Sequence, residues 1–126
     1  MPDSAAPLKI IRDGGTILVE FVNRKILDET EIAHIGDQLS DLIDQELQPK
    51  IVISFSGVDH LSSAALGTLI TANNKIRNRD GQLRLSNIHP QIYEVFLITK
   101  LNNLFKIYPT IKEARDSLGN QAQPTI

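Results

Sequence analysis

Cysteine is missing from all 126 residues. Its absence excludes disulfides, thiolate catalysis and cysteine-ligated metal sites together, and points to a reducing compartment. Long apolar runs are missing as well. The longest span only a few residues, against the roughly 20 that a bilayer crossing needs, so no membrane insertion is expected. Charge of one sign is not in excess either: 13 Lys and Arg stand against 15 Asp and Glu. A net charge of -2 provides no broad field for a phosphate backbone, which argues against nucleic acid as a partner. Neither G-x-G-x-x-G nor G-x-x-x-x-G-K-S/T occurs, so no phosphate-cradling loop is expected. The three histidines, His34, His60 and His89, lie far apart and no pair has the i, i+4 spacing of a helical metal site, so no metal or other cofactor is expected. Met1 to Pro7 has neither the basic start nor the apolar run of a signal peptide, and a cytoplasmic location follows as the expectation.

What is present reads as one globular domain. Apolar residues make up 41% and charged residues 22%, near the globular average, and the length suits a single core. Residues 8–119 are expected to fold, with loose tails at 1–7 and 120–126. Leu8 to Arg12 and Thr16 to Val22 are β-branched and aliphatic runs around Asp13-Gly14-Gly15, which predicts a hairpin. Asp28 with Glu31 forms a capping-box pattern ahead of Ile32, Ile35, Leu39, Leu42, Ile43 and Leu47 at helical spacing, with Pro49 as the stop. Ile51 to Phe55 suits a strand buried on both faces. Leu66, Leu69, Ile70, Asn73 and Ile76 share a helical face that Ser62 or Ser63 can cap and Asp80-Gly81 can end. Leu83 to Asn87 is a further strand. Pro90 opens a helix in which Ile92, Val95, Phe96 and Thr99 share a side, and Leu104 to Tyr108 is a last strand. Thr110 with Glu113 opens a final helix ending near Leu118-Gly119.

The order β-β-α-β-α-β-α-β-α predicts an α/β fold: a mixed, mostly parallel sheet of about five strands packed against four helices, with the hairpin as an antiparallel edge. In open α/β sheets the loops beyond the carboxyl ends of the strands are the usual working surface, and Ser56 to Ser63 is one of them. Asp59, His60, Ser62 and Ser63 contain the ingredients of a hydrolase triad, but a triad is normally assembled from distant segments, and the flanking glycines of a nucleophile elbow are absent. A solvated loop histidine is the better reading of His60, and no catalytic residue is assigned. Lys75, Arg77 and Arg79 complement the negative end of the second helix's dipole and read as a solvated face. Two consecutive serines at a helix start leave one hydroxyl free after capping, and a phosphate there would sit beside the positive end of the dipole.

The segment Val58-Asp59-His60-Leu61-Ser62-Ser63-Ala64-Ala65-Leu66-Gly67 is similar, without gaps, to the stretch ending Asp-Ser-Ser-Gly-Leu-Gly in the STAS domain family, especially the bacterial anti-sigma factor antagonists. A second likeness runs from Val95 to Tyr108. There Thr99, Leu101, Leu104-Phe105 and Ile107-Tyr108 resemble the family's L-T-G-L-x-x-L-F-x-I-Y, and Glu113-Ala114 fits as well. Ser62 stands where the family has aspartate, Ala64 replaces its second serine, and Ala65 and Lys100 replace glycines.

The resemblance implies a non-enzymatic, partner-switching phosphoprotein acting in signal transduction and transcription regulation. Its phosphorylated serine falls on Ser63, with Ser62 as the alternative, and Asp59, His60, Leu61, Ser62, Ser63, Ala64, Leu66 and Gly67 form the partner-binding surface. The implied partners are an anti-sigma factor that is also a serine-protein kinase of histidine-kinase-like ATPase fold, and a PPM-type serine phosphatase. The alternative is a constitutive STAS subunit of a lipid-transport ABC system or a stress-signalling assembly, working without phosphorylation. An ester hydrolase on Asp59, His60 and Ser63 is a third reading, and the STAS portion of an anion transporter is conceivable by fold.

Overall fold

In the computed structural model, which describes residues 6–121, Gly14 and Gly15 carry φ of +58° and +89°. Glycine meets no Cβ penalty in that region, and the pair closes a two-residue loop between strands β1 (Leu8–Asp13) and β2 (Thr16–Phe21). Helix α1 (Glu29–Asp44), strand β4 (Lys50–Ser54), helix α2 (Ser63–Asn78), strand β6 (Gln82–Ser86), helix α3 (Pro90–Ile98), strand β7 (Lys106–Tyr108) and helix α4 (Ile111–Gln121) follow in the expected alternation. The main sheet has five strands in the order β1-β2-β4-β6-β7, with β1 antiparallel and the others parallel.

Register decides what packs. Ile17, Ile51 and Leu83 line up across three strands, and Val19, Ile53, Leu85 and Ile107 line up across four. These side chains face α1, α2 and α3 in the principal core, which also holds Phe55, Leu69 and Phe96. The opposite face is covered by α4, whose Ala114 and Leu118 pack on Val52. The expected strand at Ile51 to Phe55 is buried throughout, as a strand between two layers must be. Phe55 lies 5.1 Å from Phe21 and 6.3 Å from Phe96, centroid to centroid.

Both capping patterns are realised. Asp28 accepts from the Glu31 N–H at 2.9 Å, and Thr110 Oγ1 accepts from the Glu113 N–H at 3.1 Å. Four details depart from the sequence reading. Leu47 does not extend the apolar face of α1: the helix ends at Asp44, and Leu47 is 90% exposed. The side chain of Arg79 reaches the carbonyls of Glu46 and Asp44, and Lys75 reaches Ser40 and Asp44. These two cations therefore serve the C-terminal end of α1, where free carbonyls favour positive charge, and only Arg77 of the expected solvated trio stays exposed. Thr99 caps α3 and returns its hydroxyl to the Val95 carbonyl at 2.7 Å instead of joining the helix's apolar side. The last strand begins at Lys106, two residues later than expected: a 3₁₀ turn at Leu101–Asn103 runs into a turn and bend at Leu104 and Phe105. The expected tails at 1–7 and 120–126 fall for the most part outside the described residues.

Two further strands escaped the sequence reading. β3 (Lys25–Ile26) and β5 (His60–Leu61) form a two-residue parallel pair apart from the main sheet.

Candidate functional site

The loop from Ser56 to Ser63 leaves the carboxyl end of the central strand β4 through a tight turn. Gly57 has φ of +89°, and the Val58 N–H donates to the Phe55 carbonyl at 2.9 Å, the arrangement of a turn whose third residue needs positive φ. Val58 is fully buried and anchors the loop. Beyond it the β3–β5 pair takes over. The Asp59 and His60 N–H groups both donate to the Arg24 carbonyl, and the Ser62 N–H donates to the Ile26 carbonyl at 3.1 Å. A backbone held from two sides presents the start of α2 in a defined position.

The consecutive serines then divide their roles. Ser62 is the N-cap: its backbone is extended, and its Oγ accepts from the Ala65 N–H at 3.2 Å. Ser63 is the first helical residue and is exposed. Its hydroxyl makes no hydrogen bond among the described residues. Ala64 and Gly67 are also exposed and open onto a groove of about 460 Å³ between α1 and α2, lined besides by Gly36, Ser40, Thr68 and Thr71. Leu66, expected in the same surface, points inward instead and is 5% exposed in the core.

Asp59 joins a compact polar cluster. Its Oδ2 accepts from Arg24 Nη2 at 2.7 Å, and its Oδ1 lies 2.7 Å from His60 Nδ1. The His60 contact, opposed by partial desolvation and helped by Arg24, holds the carboxyl below its ordinary value. Gln91, in the first turn of α3, reaches the Asp59 carbonyl at 3.4 Å. The Asp59-His60 half of the suspected triad is thus formed, yet no hydrogen bond among the described residues links His60 to Ser62 or Ser63. Arg24 and Gln91 were not singled out in the sequence, because they meet the loop from 35 and 32 residues away. Val22 is 58% exposed and lines the same surface hollow as Arg24, Asp59 and His60, which places apolar surface beside the cluster.

A scan of protein-family models matches residues 11–114 to the STAS domain. The chain belongs to the STAS family. Solved structures similar to it include an anti-sigma-factor antagonist (STAS) domain protein from Planctomyces limnophilus, with a TM-score of 0.81 at 21% identity over 89% of this chain and 97% of that one. The Bacillus cell-fate determinant SpoIIAA in its phosphorylated form gives 0.67 at 20% identity over 87% and 97%. A serine-to-glutamate variant of Moorella thermoacetica RsbS gives 0.78 at 15% identity over 91% and 97%. At these identities the likeness establishes the fold, a five-stranded mixed sheet with four helices.

Membership in the STAS family also explains a local oddity. Lys100, which stands where the family motif has glycine, adopts φ of +63°, a conformation that glycine enters freely and L side chains enter at a cost. Among the described residues no helix of this STAS domain is long and apolar enough to cross a membrane.

Proposed function

We propose that this STAS domain is an anti-sigma factor antagonist, a cytoplasmic protein-binding switch reset by reversible phosphorylation of Ser63. The unmodified domain docks through Asp59 to Ala64 and Gly67 on an anti-sigma factor that is also a serine kinase of histidine-kinase-like ATPase fold. That kinase phosphorylates Ser63, and a PPM-type phosphatase restores it. The partners do the catalysis and the STAS domain supplies the acceptor. One observation carries the reading: Ser63 is exposed at the first position of α2 while Ser62 does the capping. A phosphate on Ser63 adds a charge of about -1.5 to -2 beside the positive end of the helix dipole, which tolerates it. The fold therefore persists while the surface changes sign, and docking is opposed by desolvation and repulsion from acidic partner groups.

A second reading is a constitutive interaction subunit, of a lipid-transport ABC system or a stress-signalling assembly. It is favoured by Ser62 replacing the family's aspartate, and by Asp59, whose two oxygens are already engaged by Arg24 and His60. Recovery of the protein from its native host, with identification of bound partners and phosphosite mapping, separates the two. A copurifying kinase that labels the purified protein with ATP, with the label lost in Ser63→Ala, supports the switch. A stable partner complex unlabelled at both Ser63 and Ser62 sinks it in favour of the constitutive subunit.

A further inference from the structure

Strand β1 is an edge of the main sheet, and among the described residues β2 is its sole strand neighbour. The Val22 N–H donates to the Pro7 carbonyl. By the alternation of an antiparallel ladder, Lys9, Ile11 and Asp13 then exchange hydrogen bonds with their β2 partners Glu20, Leu18 and Thr16. The N–H and C=O groups of Leu8, Ile10 and Arg12 therefore point away from the sheet. Gln38 Nε2 takes the Leu8 carbonyl at 3.3 Å, which closes that end. Between the rest of the edge and α1 lies a hollow of about 570 Å³, lined by Ile10, Arg12, Gln38, Asp41, Leu42 and Gln45. The donors and acceptors of Ile10 and Arg12 are left facing outward.

Natural edges are usually blunted by a bulge, a proline, a cover or charge. β1 has no bulge and no proline: its register with β2 runs unbroken from Leu8 to Asp13. Its side chains alternate between the two faces of the sheet. Leu8 and Ile10 belong to the principal core, and Arg12, on the same face, is tied to Glu46 and Gln45 of its own chain. Lys9, Ile11 and Asp13 stand on the α4 face, where Arg115 reaches Asp13 at 2.8 Å, and all three are exposed. Whether the charges at positions 9 and 13 deter a further strand or attract one depends on the register in which it arrives.

A second copy of β1, docked antiparallel about a two-fold axis, gives a closed interface. Outward groups meet outward groups only when that axis passes through a residue. Lys9 or Arg12 on the axis sets like charges directly opposite each other, which is destabilising. Ile10 on the axis calls on the Leu8 carbonyl that Gln38 already holds, and it places Lys9 opposite Ile11. Ile11 on the axis meets every condition. Ile10 of each copy then exchanges both hydrogen bonds with Arg12 of the other, and the two Ile11 side chains meet in a close, non-hydrogen-bonded pair. Lys9 of each copy lies opposite Asp13 of the other, an opposite-charge pair made twice. We propose that this chain self-associates edge to edge through β1 in that register, joining two five-stranded sheets into one. The axis is normal to the sheet, so the carboxyl ends of the two β4 strands point in opposite directions and both Ser63 loops stay open. Six residues make an edge of about 20 Å, far short of a standard interface, so the dimer is weak and governed by concentration.

Charge reversal with mixing tests both the contact and its register, on the purified chain at low ionic strength. Sedimentation velocity over a wide concentration series should show a reversible monomer–dimer equilibrium, and amide NMR over the same series should shift Ile10 and Arg12 most. Lys9→Glu and Asp13→Lys, each checked for its fold by circular dichroism, should each weaken self-association about tenfold, because either one creates two like-charge pairs. Arg77→Glu, the same change of charge at an exposed position on α2, should leave it unchanged. An equimolar mixture of Lys9→Glu with Asp13→Lys puts opposite charges together at both ends of a heterodimer and should associate about as tightly as the parent. A protein that stays monomeric throughout the series, or concentration-dependent shifts centred away from β1, would overturn the edge contact. A mixture that associates no better than the separate variants would overturn the register.

Discussion

Replacing Ser62 and Ser63 one at a time tests the division of labour on which the switch rests. Ser62 Oγ satisfies one of the free N–H groups at the start of α2 through Ala65, and losing such a cap costs about 1 kcal/mol. An unfolding entropy of about 2.1 cal/mol/K per residue over 126 residues amounts to about 0.26 kcal/mol/K, so Ser62→Ala should lower Tm by about 4 °C. Ser63 is exposed and its hydroxyl is unengaged among the described residues. Ser63→Ala should therefore stay within about 0.5 kcal/mol of the parent, tending upward because alanine is the better helix former. Ser63→Asp should be neutral or gain about 0.3 to 1 kcal/mol from the helix dipole. Urea and thermal unfolding monitored by circular dichroism measure all three. A Ser63→Ala variant that loses as much as Ser62→Ala, or a Ser62→Ala variant that loses nothing, would refute the assignment of cap and acceptor.

Asp59 should titrate below the ordinary carboxylate range of about 3.9 in side-chain NMR, with His60→Ala raising its midpoint more than Arg24→Ala, following the order of the contacts that depress it. Because the folded value is the lower one, this carboxylate's contribution to stability is present above the ordinary range and is lost as pH falls through the depressed value. Lys100→Gly relieves a left-handed side chain and should raise stability by about 1 kcal/mol, read from the urea midpoint. Gly81→Ala should cost about 1 to 3 kcal/mol, because an added Cβ would lie 2.4 Å from the Pro49 carbonyl oxygen; the urea midpoint measures it. Phe55→Ala, at the centre of the aromatic cluster, should cost about 3 to 5 kcal/mol in the same assay.

What the sequence made legible was whatever repeats locally. Ile32, Ile35, Leu39, Leu42 and Ile43 recur at helical spacing and are all buried in α1, and the capping residues Asp28 and Thr110 mark helix starts. Leu47 has the same spacing but misleads, since periodicity cannot register that the backbone has left the helix at Gln45. A two-residue bridge such as β3 with β5 has no period at all. Arg24 and Gln91 were illegible because their roles arise only when the fold closes distant segments. Lys75 and Arg79 were assigned to their own helix for the same reason, while their partners are on α1 and just past its end.

The loop's geometry also limits how its missing aspartate can be replaced. Position 62 must carry an oxygen that caps α2, and serine and aspartate both do so, so the exchange preserves the helix start while removing a charge beside the acceptor. Asp59 does not restore that charge at position 62. Its backbone N–H is bound to the Arg24 carbonyl, and its carboxylate oxygens are bound by His60 and Arg24, so bringing it to Ser63 would break three contacts at once. Ser62→Asp restores the charge without disturbing the cap. If a kinase reads Ser63 in this chain, that substitution should speed phosphorylation at unchanged Tm, in a timed phosphorylation assay with the copurifying kinase. An unchanged rate would mean that the family's aspartate serves the helix start and not the chemistry of the acceptor.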